Sequence, residues 1–143
     1  MKTSRSLYTV LLASALLTAC SNDEAIPGRW YTSEQVALGE RIFQENCQRC
    51  HGERAAGTTA DWREPLPDGR YPPPPLDGSA HAWHHPLSQL ERTVRLGGAP
   101  VGGWMPAFGD KLSDAEIKAV LAYFQSLWPD RIYQAWLGRG GLD

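Results

Sequence analysis

The chain has 143 residues and a formal net charge of −2, with 14 Lys and Arg residues against 16 Asp and Glu residues. This length fits one domain with short terminal segments. No run of Lys or Arg stands out, which argues against nucleic acid as a partner, because phosphate binding requires a clustered basic face. Six Trp residues are many for this length and suggest a large, flat group that needs covering.

The N-terminus has the pattern of an export signal. Two basic residues, Lys2 and Arg5, precede the apolar run from Leu7 to Leu17. That run is too short to span a bilayer as a stable helix, and such a run after a basic start is typical of a cleaved signal. Residues 1–19 are therefore expected to lie outside the folded domain.

The end of this signal, Leu17-Thr18-Ala19-Cys20, resembles the lipobox of bacterial lipoproteins, in which the cysteine is lipidated and becomes the new N-terminus. An ordinary signal cleaved near Ala19 is the alternative. The polar residues that follow predict a tether over residues 20–30, so we expect a lipid anchor on the periplasmic side of a bacterial membrane. By the sorting pattern of lipoproteins, Ser21 favours the outer membrane in a Gram-negative cell.

Three capping-box patterns predict helix starts in the rest of the chain, because their paired side chains satisfy the free amides of a first helical turn. The pairs are Thr32 with Gln35, Ser88 with Glu91, and Ser113 with Glu116. Apolar residues recur at helical spacing after each pair, and no segment convincingly predicts a strand. Residues 131–143, beyond Pro129, predict either one more short helix or a loose tail.

A long segment between the first two predicted helices is dense in Gly and Pro and includes Pro72 to Pro75. Loops beyond roughly 12–15 residues are unusual in a compact domain unless they bind something or are disordered. Three short helices around such a loop do not make a self-sufficient core. A large buried cofactor would account for both features.

The string Cys47-Gln-Arg-Cys50-His51 has the spacing of a haem c attachment signal. Its two thiols add to the two vinyl groups on one porphyrin edge, and the following imidazole is then held facing the iron. Haem is the interpretation that we favour for this motif.

Three other interpretations of the motif stay open, although each lacks a component. A zinc site needs two further ligands, which only the histidines of a later loop could supply. A thioredoxin-like dithiol needs a strand leading into the motif, whereas the approach here is helical. A structural disulfide between Cys47 and Cys50 leaves His51 unexplained.

A haem iron needs a sixth ligand or an open site, and in cytochromes c the partner of the histidine is usually methionine. Once Met1 is discarded, Met105 is the single methionine. Pro106 biases Met105 toward an extended backbone, so it is expected on a loop. The alternative role is that of a core residue filling a gap.

With these motifs the chain resembles a class I, monohaem cytochrome c over residues 31–130. The N-terminal helix of that family carries a glycine and an aromatic residue before the first haem cysteine, and Gly39, Phe43 and Cys47 match them. The terminal helix of the family presents an aromatic residue to that glycine, and Tyr123 in "VLAYF" matches. A family Pro-x-Leu-x-Gly pattern follows the haem motif and fits residues 74–78.

The resemblance implies an all-α class I cytochrome c fold, with three to five helices wrapped around one covalently bound haem. It also implies that the Pro74 carbonyl accepts a hydrogen bond from His51, which would orient the ligand ring. Leu76 would pack on the haem face, and Trp104 and Phe108 would cover its distal side.

One loop departs from a minimal cytochrome because it holds His81, His84 and His85. His84 would compete with Met105 for the iron in a bis-His haem, or the cluster would bind copper. The simpler interpretation is that the three histidines are polar loop residues near Trp83.

The function that follows is electron transfer without catalysis, with an iron that cycles between Fe(II) and Fe(III) under His51 and Met105. The expected partners are redox proteins, and the chain is expected as a monomer or as a subunit of a larger complex. Two alternatives remain: a haem sensor or enzyme with an open distal site, and a copper-handling lipoprotein that uses His81, His84 and His85.

Overall fold

The computed structural model describes residues 24–143, which form five α-helices in chain order. They are α1 (Ser33–Asn46), α2 (Gln48–His51), α3 (Leu87–Leu96), α4 (Asp114–Ser126) and α5 (Asp130–Leu137). Three short 3-10 turns lie at Glu53–Ala55, Ala82–His84 and Ala99–Val101. In this part of the chain the only β pairing is an isolated bridge between Ala25 and Thr32. The all-α prediction is confirmed.

Some predictions fall on residues that the structure does not describe. The export signal over residues 1–19 and the lipidation of Cys20 lie outside the described range and stay predictions. Among residues 24–143, no helix has both the length and the apolar character needed to cross a membrane.

The contact between α1 and α4 is the most extensive of the helix pairs. Gly39 makes it possible, since a Cβ atom at this position would lie 1.8 Å from the Ala119 carbonyl oxygen and 2.9 Å from Tyr123 Cβ. Beside this crossing the rings of Phe43 and Tyr123 lie 5.2 Å apart, centroid to centroid. Both side chains are buried, so the crossing is a fixed platform for the haem motif that follows α1.

Two of the three predicted capping boxes are present. At α1 the Thr32 hydroxyl accepts from Gln35 N while Gln35 Oε1 accepts from Thr32 N. At α4 the Ser113 hydroxyl accepts from Glu116 N while the Glu116 carboxylate accepts from Ser113 N.

The capping box predicted at Ser88 is wrong. Helix α3 begins one residue earlier, at Leu87, after Pro86 as its N-cap. Because proline already fixes its own backbone before a first turn, the helix starts without a side-chain cap. The Ser88 hydroxyl instead donates to the Asp143 carbonyl oxygen at 2.9 Å.

The C-terminal segment is helical and packed. Helix α5 buries Tyr133 and Trp136, and these side chains meet the residues before α1. We call this group the C-terminal aromatic cluster, and its members are Trp30, Tyr31, Trp128, Tyr133 and Trp136.

Residues that the sequence assigned to a tether and to a C-terminal extension meet at this cluster. Arg29 pairs with the Asp130 carboxylate, and its guanidinium lies 4.0 Å from the centre of the Tyr133 ring. Ile26 is also packed against the core. Residues 24–32 and α5 are thus held together on the face of the domain formed by the end of α4.

Candidate functional site

The two cysteines of the haem motif are placed by a single helical turn. Helix α1 ends at Asn46, and α2 turns at once, with Cys50 N and His51 N donating to the Cys47 carbonyl at 3.0 and 2.9 Å. Both cysteines are free thiols, Cys47 buried and Cys50 half-buried. Burial, and to a smaller extent the neighbouring Cys50 thiol, raises the pKa of Cys47 to about 11, so this sulfur is a neutral thiol at pH 7.

A cavity of about 800 Å³ opens beside this turn. We call it the site cavity. Every residue that the sequence placed around a haem lies in its wall: Cys47, Cys50, His51, Pro74, Leu76, Trp104, Met105 and Phe108. The fold therefore gathers residues from Cys47 to Phe108 around one space.

His51 enters the site cavity as an oriented, neutral imidazole. Its Nδ1–H donates to the Pro74 carbonyl oxygen at 2.9 Å, and the ring is 8% exposed. Burial lowers the pKa of His51, while the bond to Pro74 acts weakly in the opposite direction. With Nδ1 used as a donor, the lone pair of Nε2 is the one available to a metal.

A tight backbone turn holds Pro74 against the haem motif. Gly52 has φ +78°, and a Cβ atom there would lie 2.1 Å from the Gly57 carbonyl oxygen. Arg54 and Ala55 follow with positive φ angles of 50° and 60°, and the Ala55 carbonyl accepts from Leu76 N at 2.8 Å. This turn keeps the Pro74–Leu76 segment in place beneath His51.

Met105 lies on a loop, residues 97–109, that we call the methionine loop. The Met105 carbonyl oxygen accepts a hydrogen bond from Gly98 N at 2.9 Å. Further along, Phe108 N and Gly109 N donate to the carbonyls of Val94 and Arg95, each at 3.0 Å. These bonds hold the loop against the last turn of α3, which fixes the position of Met105 in the wall of the site cavity.

The two aromatic residues beside Met105 have different environments. Phe108 is buried, at 7% exposure, and forms an apolar wall of the site cavity. Trp104 is 39% exposed, and its Nε1 donates to the Tyr71 carbonyl at 2.8 Å. Trp104 therefore closes the mouth of the cavity from the outside, against the long Gly- and Pro-rich loop.

The three loop histidines do not act together. His81 lines the site cavity, whereas His84 lies outside it, with its ring 4.1 Å from that of Trp83. The alternative in which His84 competes with Met105 therefore has no support from the structure. Among residues 24–143, no cluster of three or more His, Cys, Asp or Glu side chains could hold a metal ion, so copper binding by His81, His84 and His85 is not favoured.

Several polar residues in the wall of the site cavity escaped the sequence interpretation. They are Glu45, Arg49, Arg70, Tyr71 and Lys111. Arg49 was inside the motif and Arg70 a few residues before Pro74, so proximity in sequence was an available signal. Lys111 is far from both motifs, and only the fold brings it to the site.

The described residues fit a haem. The space lies within the roughly 300–1,000 Å³ usual for bound cofactors. Two thiols stand at one side, and an imidazole nitrogen and a thioether sulfur are the ligand pair of cytochromes c. Apolar side chains such as Leu76, Leu90 and Phe108 complete the wall.

Comparisons with known proteins give the family. A family model described as cytochrome c oxidase, cbb3-type, subunit III matches residues 34–124. The chain belongs to this family.

Curated relatives agree with that match. A CcoP subunit of a cbb3-type cytochrome c oxidase from Azospirillum sp. (strain B510) is 31% identical over 72% of this chain and 32% of the relative. The CcoP of Rhodobacter capsulatus is 32% identical over 71% of this chain and 32% of the relative. A FixP subunit from Bradyrhizobium sp. (strain ORS 278) is 36% identical over 64% and 27%.

The chain spans about a third of the length of these relatives. No solved structure matches it. Family membership implies a c-type haem and electron transfer.

The predicted location, the periplasmic side of a bacterial membrane with the outer membrane favoured, is wrong, whereas the lipidation of Cys20 stays a prediction. The relatives are subunits of a cytochrome c oxidase, and nothing in them supports the outer membrane. The sorting argument from Ser21 considered one residue beside a cleavage signal and had no information on what the folded domain assembles with.

Proposed function

We propose that this domain is a monohaem c-type cytochrome that transfers electrons one at a time, with His51 and Met105 as the axial ligands of the iron. The observation that supports this most is the convergence of Cys47, Cys50, His51 and Met105 on one cavity. The haem, when bound, supplies the Fe(II)/Fe(III) couple.

The residues of the chain provide attachment, orientation and exclusion of water. Cys47 and Cys50 would hold the haem through two thioethers, formed by addition of each S–H across a vinyl double bond without any redox change. The Pro74 carbonyl holds the His51 ring and makes Nε2 a better donor. Phe108 and Leu76 keep the surroundings apolar, which raises the cost of the charged oxidised state and helps set the potential.

With both His51 and Met105 given to the iron, no position would be left for a substrate, so the proposed role is that of a carrier and not of an enzyme. The relatives are subunits of cbb3-type oxidases. We therefore infer that the redox partners of this domain include the other subunits of such an oxidase, and that the domain works as part of a larger assembly.

The first experiment is the absorption spectrum of protein produced together with haem-attachment machinery. We expect the sharp reduced bands of a covalent haem c and, in the oxidised protein, the weak far-red band of methionine bound to ferric iron. The reduced protein should resist carbon monoxide. Met105→Ala should keep the covalent haem, lose the far-red band and bind carbon monoxide readily.

A matched control is Leu87→Met, which places a second methionine on α3, outside the wall of the site cavity. This variant should leave the spectrum unchanged. A far-red band that survives in Met105→Ala would contradict the proposed ligation, and a protein without haem would contradict the proposed function altogether.

A further inference from the structure

The wall of the site cavity carries more positive than negative side chains. Arg49, Arg70 and Lys111 line it against one carboxylate, Glu45, and His81 adds an imidazole. A haem brings two carboxylates of its own, and buried or half-buried carboxylates are normally paired with a cation or a hydrogen-bond donor. Some of these side chains must therefore serve the two carboxylates, and the sequence did not indicate which.

The attachment chemistry of the proposed function, on which this inference rests, separates the candidates. In a haem the carboxylates lie on the edge of the ring opposite the two vinyl groups. Cys47 and Cys50 hold the vinyl edge, and Arg49 lies between them in α2. Arg49 is thus at the wrong edge.

Lys111 lies in the part of the wall next to Phe108. It follows the methionine loop directly, its backbone N–H donates to the Phe108 carbonyl at 2.9 Å, and Nζ lies 5.8 Å from the Phe108 ring centroid. Arg70 and His81 are the remaining candidates.

Arg70 and His81 both belong to the long loop, and both line the site cavity. The ring of Trp62 lies 5.0 Å from that of His81, centroid to centroid. A few residues later the Tyr71 carbonyl accepts the hydrogen bond from Trp104 Nε1. The earlier part of the long loop, residues 62–71, therefore contacts both His81 and Trp104 of the methionine loop.

Arg70 is held in a fixed orientation. Its Nε donates to Asp68 Oδ2 at 2.8 Å, and Nη2 lies 2.6 Å from the same oxygen in an ion pair. Its guanidinium also lies 4.8 Å from the centre of the Trp104 ring. The bonds from Arg70 lower the pKa of Asp68, so the pair remains ionised near pH 7. Among the described residues Nη1 has no acceptor, and a guanidinium that is stacked and paired on one edge presents the other edge to a second carboxylate.

His81 is an exposed ring that faces aromatic and imidazole groups. Its neighbours are Trp62 and, at 5.6 Å between ring centroids, His85. Partial desolvation, followed by the charges of His85 and His84, lowers the pKa of His81. The ring is therefore a neutral hydrogen-bond donor near pH 7 while no anion is beside it.

We propose that Arg70 and His81 bind the haem carboxylates and position the cofactor at the edge opposite the cysteines. Both are positioning residues, since neither contacts the iron. They close the site cavity at the rim where its wall is formed by the long loop.

Arg70→Gln tests the proposal in the haem-loaded protein. The thioethers should still form, so the haem content is expected to be unchanged. The midpoint potential should fall, because an uncompensated carboxylate favours the oxidised iron. The pH below which the potential becomes pH-dependent should move upward, because loss of the cation raises the pKa of the carboxylate. Arg70→Lys, which keeps the charge, should restore most of the original potential.

The chain contains a matched control for this variant. Arg63 lies on the same loop, pairs with Asp61 at 3.6 Å and stacks at 4.8 Å over Trp62, but it is absent from the wall of the site cavity. Arg63→Gln should leave the potential and its pH dependence unchanged. His81→Ala and His84→Ala form a second pair, with a shift expected for His81 alone.

Infrared difference spectra between the oxidised and reduced states give a direct readout of the carboxylates. Their bands should shift in Arg70→Gln and His81→Ala and stay in place in Arg63→Gln and His84→Ala. Equal shifts in all four variants, or none in Arg70→Gln and His81→Ala, would overturn the proposal. A haem-loaded protein with the His/Met spectrum and unshifted carboxylate bands overturns this inference alone, whereas absence of haem overturns the proposed function.

Discussion

The C-terminal aromatic cluster and the site cavity are both walled by large side chains, yet only the cluster is closed by the chain itself. In the cluster Tyr31, Tyr133 and Trp136 are at most 1% exposed. Its tryptophans also find protein acceptors: Trp30 donates to Gln125 at 2.6 Å and Trp136 to the His85 carbonyl at 2.8 Å.

At the site cavity the aromatic residues line a space of about 800 Å³ instead of meeting one another. A protein interior is otherwise packed nearly as densely as an organic crystal. Similar residue types can therefore either complete a core or surround a cofactor, and the backbone around them decides which.

Removal of the two cysteines that attach the haem should have the largest effect, and it should act on the site cavity far more than on the aromatic cluster. In Cys47→Ala/Cys50→Ala we expect loss of the covalent haem and destabilisation by at least about 4 kcal/mol, which is what a ligand present at a thousandfold its Kd contributes. Hydrogen exchange should rise around α3 and the long loop, and much less in α5. Denaturant unfolding and exchange measured by mass spectrometry give the two readouts.

An equal rise in hydrogen exchange throughout residues 24–143 would contradict this expectation, because it would mean that the aromatic cluster also depends on the cofactor. Cys20→Ala, which keeps both cysteines of the motif, is the control variant. It should leave both haem content and exchange unaltered.

Two tryptophan variants should separate the regions by their signatures. Trp136→Ala removes a side chain that is 1% exposed and should cost about 3–5 kcal/mol, as such truncations in cores do. The absorption spectrum of the surviving folded protein should not change. Thermal unfolding and the spectrum are measured on the same sample.

Trp104→Ala should show the reverse pattern, since Trp104 is 39% exposed and lies beside Met105. We expect a small loss of stability together with a weaker far-red band and a shifted potential. A spectral change in Trp136→Ala as large as that in Trp104→Ala would show that the regions are coupled and that the distinction is wrong.

Alkaline pH should lower the stability of the folded state by less than the loss of the haem or of Trp136. It should act mainly on the C-terminal aromatic cluster. Burial raises the pKa of Tyr31 from 10.0 to about 12, and the nearby Arg29 opposes this. Because the unfolded state ionises first, the folded state keeps this contribution below pH 10 and loses it as the pH rises from about 10 to about 12. A shift of this size corresponds to about 2–3 kcal/mol.

Tyr31→Phe should reduce that alkaline loss, as measured by urea unfolding at pH 8 and at pH 11. Tyr71→Phe is the control, since Tyr71 is 59% exposed. An alkaline loss that is the same in Tyr31→Phe as in the parent would assign the effect to other groups.

The sequence predicted the parts of this fold that depend on local chemistry. The capping boxes at Thr32 and Ser113 and the all-α class follow from side chains a few positions apart. The hydrogen bond from His51 to the Pro74 carbonyl was implied by the family pattern and is present at 2.9 Å. These features need only short segments to be interpreted correctly.

The sequence did not predict which tryptophans and histidines reach the site cavity, because tertiary contacts decide this. Of the six tryptophans that suggested a covered cofactor, only Trp104 lines the site cavity, whereas Trp30, Trp128 and Trp136 build the aromatic cluster. The composition could not separate these roles, because a core and a cofactor site bury the same ring. Similarly, His81 and not His84 reaches the cavity because Trp62 and the His85 carbonyl hold that segment in place.

The backbone hydrogen bonds of the methionine loop have a consequence for the rate of electron transfer. Phe108 and Gly109 anchor the loop to the end of α3 by hydrogen bonds of 3.0 Å, and Gly98 N donates across the loop to the Met105 carbonyl at 2.9 Å. A Cβ atom on Gly97 would lie 2.6 Å from that carbonyl oxygen. An iron ligand on this loop, as proposed for Met105, would have little room to relax when the charge beside it changes by one unit. Dipoles that are already in place cost no reorganisation at the moment of reaction, so the nuclear rearrangement that accompanies each electron would fall mostly on the solvent, and exchange would be rapid even when the driving force is small.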